Sequence, residues 1–463
     1  MAGAAKGRLT SVDGLRASVE KMRREGLPDA AIDTFRHYYE QLAEGATGML
    51  PESEIEPVGE LQDLDSLPDA DAPLDQAVVL KLNGGLGTSM GMTHAKSLIE
   101  AKDGLTFLDV LARQVLELRR RSGARLPLVL MNSFYTHEES LEALARHERL
   151  ASDVPPDFVQ HKEPKIRVDD LMPVEWPDEP SLEWCPPGHG DLYTALLTSG
   201  MLDTLLDHGY RYAFVSNSDN LGAVLEPRIL AWMAREQIPF AMEVTQRTEA
   251  DRKGGHIARR SDGGFVLRET AQTPEEDLEA LQDISRHRYV NTNNLWVGLQ
   301  ALADVLRERE GVLGLPLIVN RKTVDPGDKS SPEVFQLETA MGAAIGTFDG
   351  AQPVRVPRRR FSPVKTTEDL LALRSDAYVL ADDARVELAP ERDGTPPVVD
   401  LDDEHFKLLR DFDAHFPAGA PSLLRCKRLA VEGDVTFGRE VVVRGTVTVS
   451  GPRRIEDGAV LEG

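Results

Sequence analysis

Cysteine is nearly absent: the 463-residue chain holds two, Cys185 and Cys426. Two thiols can build neither a disulfide framework nor a cysteine-rich zinc site, and such sparing use fits a reducing compartment. Positive charge is short as well. Lys and Arg number 53 against 77 Asp and Glu, a formal net charge of −24. Coating nucleic acid or anionic membrane needs the opposite sign, because long-range attraction to phosphate follows net charge. One small anionic ligand held by a few local cations is not excluded. Long apolar runs are missing too, and no stretch approaches the ~20 residues that span a bilayer. Met1 to Thr10 carry Lys6 and Arg8 with no apolar segment behind them, so no secretory signal is expected there. A cytoplasmic location is the resulting expectation.

What is present has the balance of a globular chain, with 41% hydrophobic and 28% charged residues. The length allows roughly three domains at ~150 residues each, or one large α/β core with appendages. Leu15, Val19 and Met22 share one helical face, and Ile32, Phe35, Tyr39 and Leu42 repeat at helical spacing after the break at Gly26-Leu27-Pro28. From His37 to Leu80 there are eleven acids and no Lys or Arg. With Pro51, Pro57, Pro68 and Pro73 interspersed, residues 50–75 read as an extended acidic connector, a solvated loop wrapped on the main domain.

From Ala77 the pattern changes. Val78-Val79-Leu80, Leu128 to Met131 and Tyr212 to Val215 are short apolar runs, and Ile238, Phe240, Met242 and Val244 alternate. Between them, Leu108, Leu111, Val115 and Leu118 form a helical stripe ending in Arg119-Arg120-Arg121, which suits the negative end of a helix. Strands separated by helices predict a mostly parallel sheet covered on both faces, with ligands at the carboxyl ends of the strands. The C-terminus has another period. Leu429, Val435, Val441 and Val447 recur every six residues, as do Val431, Phe437, Val443, Val449 and Ile455. With glycines between, this pattern predicts a left-handed parallel β-helix, two β-hairpins being the plainer alternative. So short a coil must pack on a neighbour, either the main domain or another subunit.

The chemistry is concentrated after the first strand, in Lys81-Leu82-Asn83-Gly84-Gly85-Leu86-Gly87-Thr88-Ser89-Met90-Gly91, followed by Lys96-Ser97. Four glycines in eight positions let backbone N–H groups approach a nucleotide and form an anion nest. A lysine soon after adds a point charge for phosphate. The loop is not a P-loop; Gly85-x-Gly87-x3-Gly91 is a near miss to the dinucleotide fingerprint. Asp219 follows the Tyr212–Val215 run in Asn217-Ser218-Asp219-Asn220, placed either to hold a divalent cation or to cap a turn.

Several segments together carry a family resemblance. They are the glycine loop, Met131-Asn132-Ser133-Phe134, Phe158-x-Gln160 with Pro164-x-Ile166, and Trp184-Cys185-Pro186-Pro187-Gly188-His189-Gly190-Asp191. Ser216 to Gly222, Met242-Glu243-Val244, Lys253-Gly254-Gly255 and Asn291 to Trp296 follow in order. Gln336-Leu337-Glu338-Thr339-Ala340 and Arg360-Phe361-x-Pro363-Val364-Lys365 complete the set. In this wording the chain resembles the eukaryotic-type UTP–glucose-1-phosphate uridylyltransferases, or UDP-glucose pyrophosphorylases, from about residue 77 to the end. The family usually carries Gly-Pro before the loop lysine; this chain has His94-Ala95.

The resemblance implies a Rossmann-like nucleotidyltransferase domain with a mixed, mostly parallel sheet and a small C-terminal left-handed β-helix. It divides the chain into residues 1–75 (helices and connector packed on the catalytic domain), 76–385 (catalytic) and 386–463 (β-helix). It implies uridylyl transfer from UTP to glucose 1-phosphate with Mg²⁺, giving UDP-glucose and pyrophosphate. Lys96 and Lys365 would be the catalytic cations and Asp219 the metal ligand. Leu82, Asn83, Gly84, Gly85, Met131, Gln160 and Gly188 would contact the nucleotide. His189 would bind a phosphate, with Asn217, Ser218, Gly254, Gly255, Glu269, Asn293 and Phe361 around the sugar phosphate. A homo-oligomer through the β-helix is a further expectation, with no nucleic-acid or membrane partner. The rivals are a pyrophosphorylase for N-acetylglucosamine 1-phosphate or several sugars, an NAD(P)-dependent oxidoreductase, and an idle nucleotide-binding protein.

Overall fold

The apolar runs read from the sequence form strands, and the amphipathic stripes between them form helices. The computed structural model describes residues 2–463; Met1, where the expected N-terminal segment begins, lies outside them. The chain packs as two compact units, each assembled from three stretches. The first comprises the chain up to Val78, Phe158–Val215 and Glu226–Val356; the second comprises Val79–Asp157, Ser216–Leu225 and Pro357–Gly463.

In the first unit the strands lie in the order Gln62–Asp63, Gln352–Arg355, Phe240–Gln246, Tyr289–Gly298 and Tyr212–Asn217. Gln352–Arg355 is parallel to both of its neighbours. Tyr289–Gly298 runs antiparallel to both of its own. Four of the five strands therefore share one direction and Tyr289–Gly298 alone opposes them. Phe240 to Thr245 are buried without interruption, instead of alternating, because this strand is covered on both faces. The helices Ala2–Arg24 and Asp29–Ala43 bury Val19, Met22, Ile32, Phe35 and Tyr39 against Ile166, Leu317 and Leu337. The acidic connector is more firmly held than a solvated loop. Leu50, Ile55, Val58, Leu64 and Leu67 are buried, and Ile55–Pro57 pairs with Ala258–Arg260.

In the second unit Ala77–Asn83 and Leu128–Asn132 pair in parallel, from Val79↔Leu128 to Asn83↔Asn132. The helix Phe107–Ser122 connects them. It starts at a reciprocal capping box between Thr106 and Asp109 and ends at Gly123, whose φ of 74° suits a left-handed cap. Arg119, Arg120 and Arg121 occupy its last turn, as the charge pattern predicts.

The six-residue period is read out as parallel coils. Ser422–Glu432 pairs in parallel with Val442–Ser450, which pairs in parallel with Val460–Glu462. Leu429 faces Val447, Val431 faces Val449 and Phe437 faces Ile455, so one coil takes three six-residue repeats. All nine periodic residues are buried, and the hairpin alternative is set aside by the parallel register. Phe437 is fully buried and stacks on Phe416 with ring centroids 4.9 Å apart. Phe437→Ala is expected to destabilise this unit by about 3–5 kcal/mol through the cavity it leaves, against less than about 0.5 kcal/mol for surface Arg439→Ala. Urea unfolding of the two variants checks the difference.

Candidate active site

The second unit brings together the glycine loop, the Asp219 turn and the Lys365 segment. Strand Ala77–Asn83 carries Lys81 inward, where it is 1% exposed. Its ammonium donates to Ser216 Oγ at 2.6 Å and to the Ala223 carbonyl at 2.8 Å. The Ser218 N–H donates to the Leu82 carbonyl at 3.0 Å. These bonds pin the turn 216–225 to the end of the glycine-loop strand. Asn83 is buried and donates to Asn132 Oδ1 and Ser140 Oγ, each at 2.8 Å. Gly84 is half-buried and Gly85 exposed, and a Cβ at Gly85 would meet nothing within 4 Å. Met131 is buried in its strand.

After the loop come two short 3₁₀ turns, Thr88–Met90 and Lys96–Leu98. The dinucleotide fingerprint requires the glycines to open a long helix, and here they do not. The Lys96 N–H donates to the Gly85 carbonyl at 3.0 Å, closing the loop on itself. Glu139 accepts from the Ala95 N–H and lies 3.1 Å from His94 Nδ1, so a carboxylate fastens the stretch where the family usually has Gly-Pro. Sequence reading missed Glu139, whose place in the first turn of a helix gives no signal of this role.

Lys96 Nζ donates to Asp219 Oδ2 at 2.7 Å and also to the Val364 carbonyl. The Val364 N–H donates to the Asp219 carbonyl at 3.2 Å. Lys96, Asp219 and the Pro363-Val364-Lys365 segment thus converge. Asp219 Oδ1 is buried and accepts no hydrogen bond. Lys365 is exposed, its N–H held by Asp369 Oδ2 at 2.8 Å. Phe361 lies under the Arg358 guanidinium at 5.1 Å. Arg360, the last of three consecutive arginines, is buried and donates to the Val224 carbonyl at 2.8 Å. Asn217 is half-buried and Ser218 buried in the same turn.

The first unit arranges the remaining candidates. Gln160 and Gly188 are half-buried. Gly188 has φ 77°, and a Cβ there would lie 2.6 Å from the Thr339 carbonyl oxygen, so both backbone and space demand glycine. His189 Nδ1 accepts from the Met341 N–H at 3.0 Å, which places the ring proton on Nε2. The residue is half-buried, and burial pushes its pKa down to about 4. His189 is therefore a neutral donor at pH 7.

Asn293 sits in a β-bulge. Met242 pairs with Leu295 but Val244 with Asn291, so Glu243 alone opposes three residues. Glu243 is fully buried and holds the bulge, accepting from Thr292 Oγ1 on its carbonyl at 2.7 Å and from Asn294 Nδ2 and Trp296 Nε1 on its carboxylate, each at 3.0 Å. Asn293 takes φ 57° and accepts from Asn291 Nδ2 at 2.8 Å. Gly254 donates to the Asp251 carbonyl, and Gly255 accepts from the Asn291 N–H. A Cβ at Gly255 would lie 2.3 Å from Glu269 Oε2, so this glycine and the Glu269 carboxylate share one spot.

Comparison with known proteins gives the family. A family model described as UTP–glucose-1-phosphate uridylyltransferase matches residues 32–444. The chain is 38% identical to UTP–glucose-1-phosphate uridylyltransferase of Hordeum vulgare over 479 residues, covering 100% of this chain and 98% of that one. It is similar to a mutant UDP-glucose pyrophosphorylase from Leishmania major solved in complex with UDP-glucose, with TM-score 0.91 and 47% identity over 97% of this chain and 98% of that one. A Trypanosoma brucei chain described as UDP-glucose phosphorylase gives TM-score 0.88 and 45% identity, covering 97% of this chain and 100% of that one. With the match spanning most of its length, the chain belongs to the UTP–glucose-1-phosphate uridylyltransferase family.

Proposed function

We infer that this protein transfers the uridylyl group of UTP to glucose 1-phosphate. The phosphate oxygen of the sugar attacks the α-phosphorus and forms a new P–O bond. The bond from that phosphorus to the oxygen bridging the β-phosphate breaks, and its electron pair leaves with pyrophosphate. The attacking oxygen is already ionised at pH 7, so the step needs no general base. It needs charge neutralisation and alignment. The observation that carries the residue assignment is the convergence of Lys96 and Asp219 at the end of the glycine loop.

Glycine-loop amides cradle the nucleotide in this reading, and Leu82, Asn83, Met131, Gln160 and Gly188 line its base and ribose. Lys96 and Lys365 supply positive charge to the phosphates. The unpartnered Oδ1 of Asp219 suits a hard divalent cation, which takes carboxylate oxygen and water. Mg²⁺, when bound, neutralises phosphate oxygens and steadies the leaving group. His189 Nε2–H donates to the sugar phosphate, and Asn217, Ser218, Gly254, Gly255, Glu269, Asn293 and Phe361 surround the sugar.

Residues 76–385 serve as the catalytic domain, 1–75 as helices and connector packed on it, and 386–463 as the β-helix domain. A homo-oligomer formed through that coil belongs to the same reading. Among the described residues no helix is long and apolar enough to cross a membrane. Two buried cysteines, both free thiols, support a cytoplasmic location.

Purified protein given UTP, Mg²⁺ and a panel of sugar 1-phosphates should release pyrophosphate with glucose 1-phosphate. Release with N-acetylglucosamine 1-phosphate alone would overturn the glucose assignment. Asp219→Asn, Lys96→Ala and Lys365→Ala should each lower kcat by about 10²-fold, the scale of losing one charge-stabilising group, with unchanged far-UV circular dichroism. Near-normal rates in all three would show that other groups carry the charge. His189, neutral above about pH 4, should add no limb near pH 6.5 to the pH–rate profile. Acidification through pH 4 should protonate Nδ1 and release the Met341 N–H. An NMR titration of its ring protons checks this, and a midpoint near 6.5 would refute it.

A further inference from the structure

A largely buried charged cluster in the first unit lies outside the residues assigned to this chemistry. Glu52, from the acidic connector, accepts from Arg268 Nη2 at 2.7 Å, from Arg286 Nε at 2.7 Å and from His287 Nε2 at 3.0 Å. Its own N–H donates to Asp277 Oδ2 at 2.6 Å. Arg268 is fully buried and donates from Nε to His256 Nε2 at 3.1 Å. The His256 and His287 rings stack with centroids 3.8 Å apart. Burial pushes both imidazoles below their ordinary range. Neutral rings agree with the bonding, since His256 Nε2 must be unprotonated to accept from Arg268. A guanidinium so enclosed needs its anion, and the anion is Glu52.

The register shows what this clamp holds. His256 faces Arg268 directly across the strand pair His256–Arg260 and Phe265–Arg268. One step further in the same register, Gly255 faces Glu269. Successive residues of a strand point to opposite faces, so the clamp grips one face while Gly255 and Glu269 belong to the other. The connector holds this segment a second time. The Leu50 N–H donates to the Gln272 carbonyl at 2.7 Å, and Gln272 Oε1 accepts from the Glu269 N–H at 3.2 Å.

We propose that Glu52 is a positioning residue for sugar recognition: through Arg268 and His256 it fixes the Gly255–Glu269 pair, and so sets affinity for the sugar phosphate without touching it. The proposal rests on the reading of Gly255 and Glu269 as sugar contacts.

The test measures kcat and separate KM values for glucose 1-phosphate and UTP in full-length Glu52→Gln, Glu52→Asp and Glu269→Gln. Glu52→Gln should raise KM for glucose 1-phosphate about tenfold and leave KM for UTP within about twofold, the signature of a displaced substrate-holding group. Glu52→Asp keeps the charge and shortens the reach, so it should show the same selectivity at about threefold. A merely structural role predicts a lower active fraction, that is, reduced kcat with both KM values unchanged; that result overturns the proposal, as does an equal rise in both. Should Glu52→Gln fail to fold, an unchanged glucose 1-phosphate KM in Glu52→Asp overturns it alone. If Glu269→Gln leaves that KM unchanged, the sugar assignment itself falls. If Glu269→Gln raises it and neither Glu52 variant does, only the positioning role falls.

Discussion

The ammonium of Lys81 is the contact on which the catalytic loops of the second unit depend. A buried cation without partners costs several kcal/mol. Ser216 and Ala223 are among the partners that hold Lys81 in place. The glycine-loop strand and the Asp219 turn, 130 or so residues apart in sequence, are thereby held in one arrangement. The Ser218-to-Leu82 backbone bond repeats the tie. Lys96 and Asp219 then meet at 2.7 Å as a consequence of two anchored backbones. The geometry of the proposed phosphate chemistry is thus set by a lysine that reaches no phosphate.

Glu243 plays the matching part in the first unit. It is a carboxylate buried between Met242 and Val244, and its oxygens are taken up by the strand opposite. The result is a bulge at Thr292-Asn293-Asn294, which turns Asn293 into a conformation that ordinary strand residues do not adopt. Two wordings that looked like separate motifs, Met242-Glu243-Val244 and Asn291 to Trp296, are the two sides of one construction. Their residues are chemically unusual for strands because they build an irregularity that regular strands lack.

Much of this was legible in the sequence, for identifiable reasons. The helices and strands carried clear periods, and the C-terminal coil carried nine positions in phase, all of them buried. Local patterning is strong where one face of an element is buried. The glycine loop, Lys96 and Asp219 could be singled out because they follow strand ends, whereas Lys365 rested on the family resemblance. What stayed hidden was long-range pairing of polar groups. Lys81 and Arg360 look like surface cations, and their burial depends on carbonyls far away in sequence. Glu52 looked like one acid among nine in a solvated connector. Its partners are Arg268, Arg286 and His287, more than two hundred residues later. Periodicity cannot report such pairs, since it records which face is buried and not what waits there.

The net charge of −24 takes on a different meaning in this light. Acids of the connector are not only solubilising. At Glu52 one of them neutralises buried guanidinium that the fold could not otherwise tolerate. Within the first unit the His189 ring is a neutral donor. Within the second, Lys96 pairs with Asp219, whose other oxygen has no hydrogen-bond partner. Total charge governs the long-range field, which decays over about 8–10 Å in physiological salt. In the proposed function, UTP would be held inside that distance, by a few cations whose positions depend on buried polar contacts. On that reading an acidic protein can handle two anionic substrates, because cations fixed locally, such as Lys96 against Asp219, act at a range that net charge does not govern.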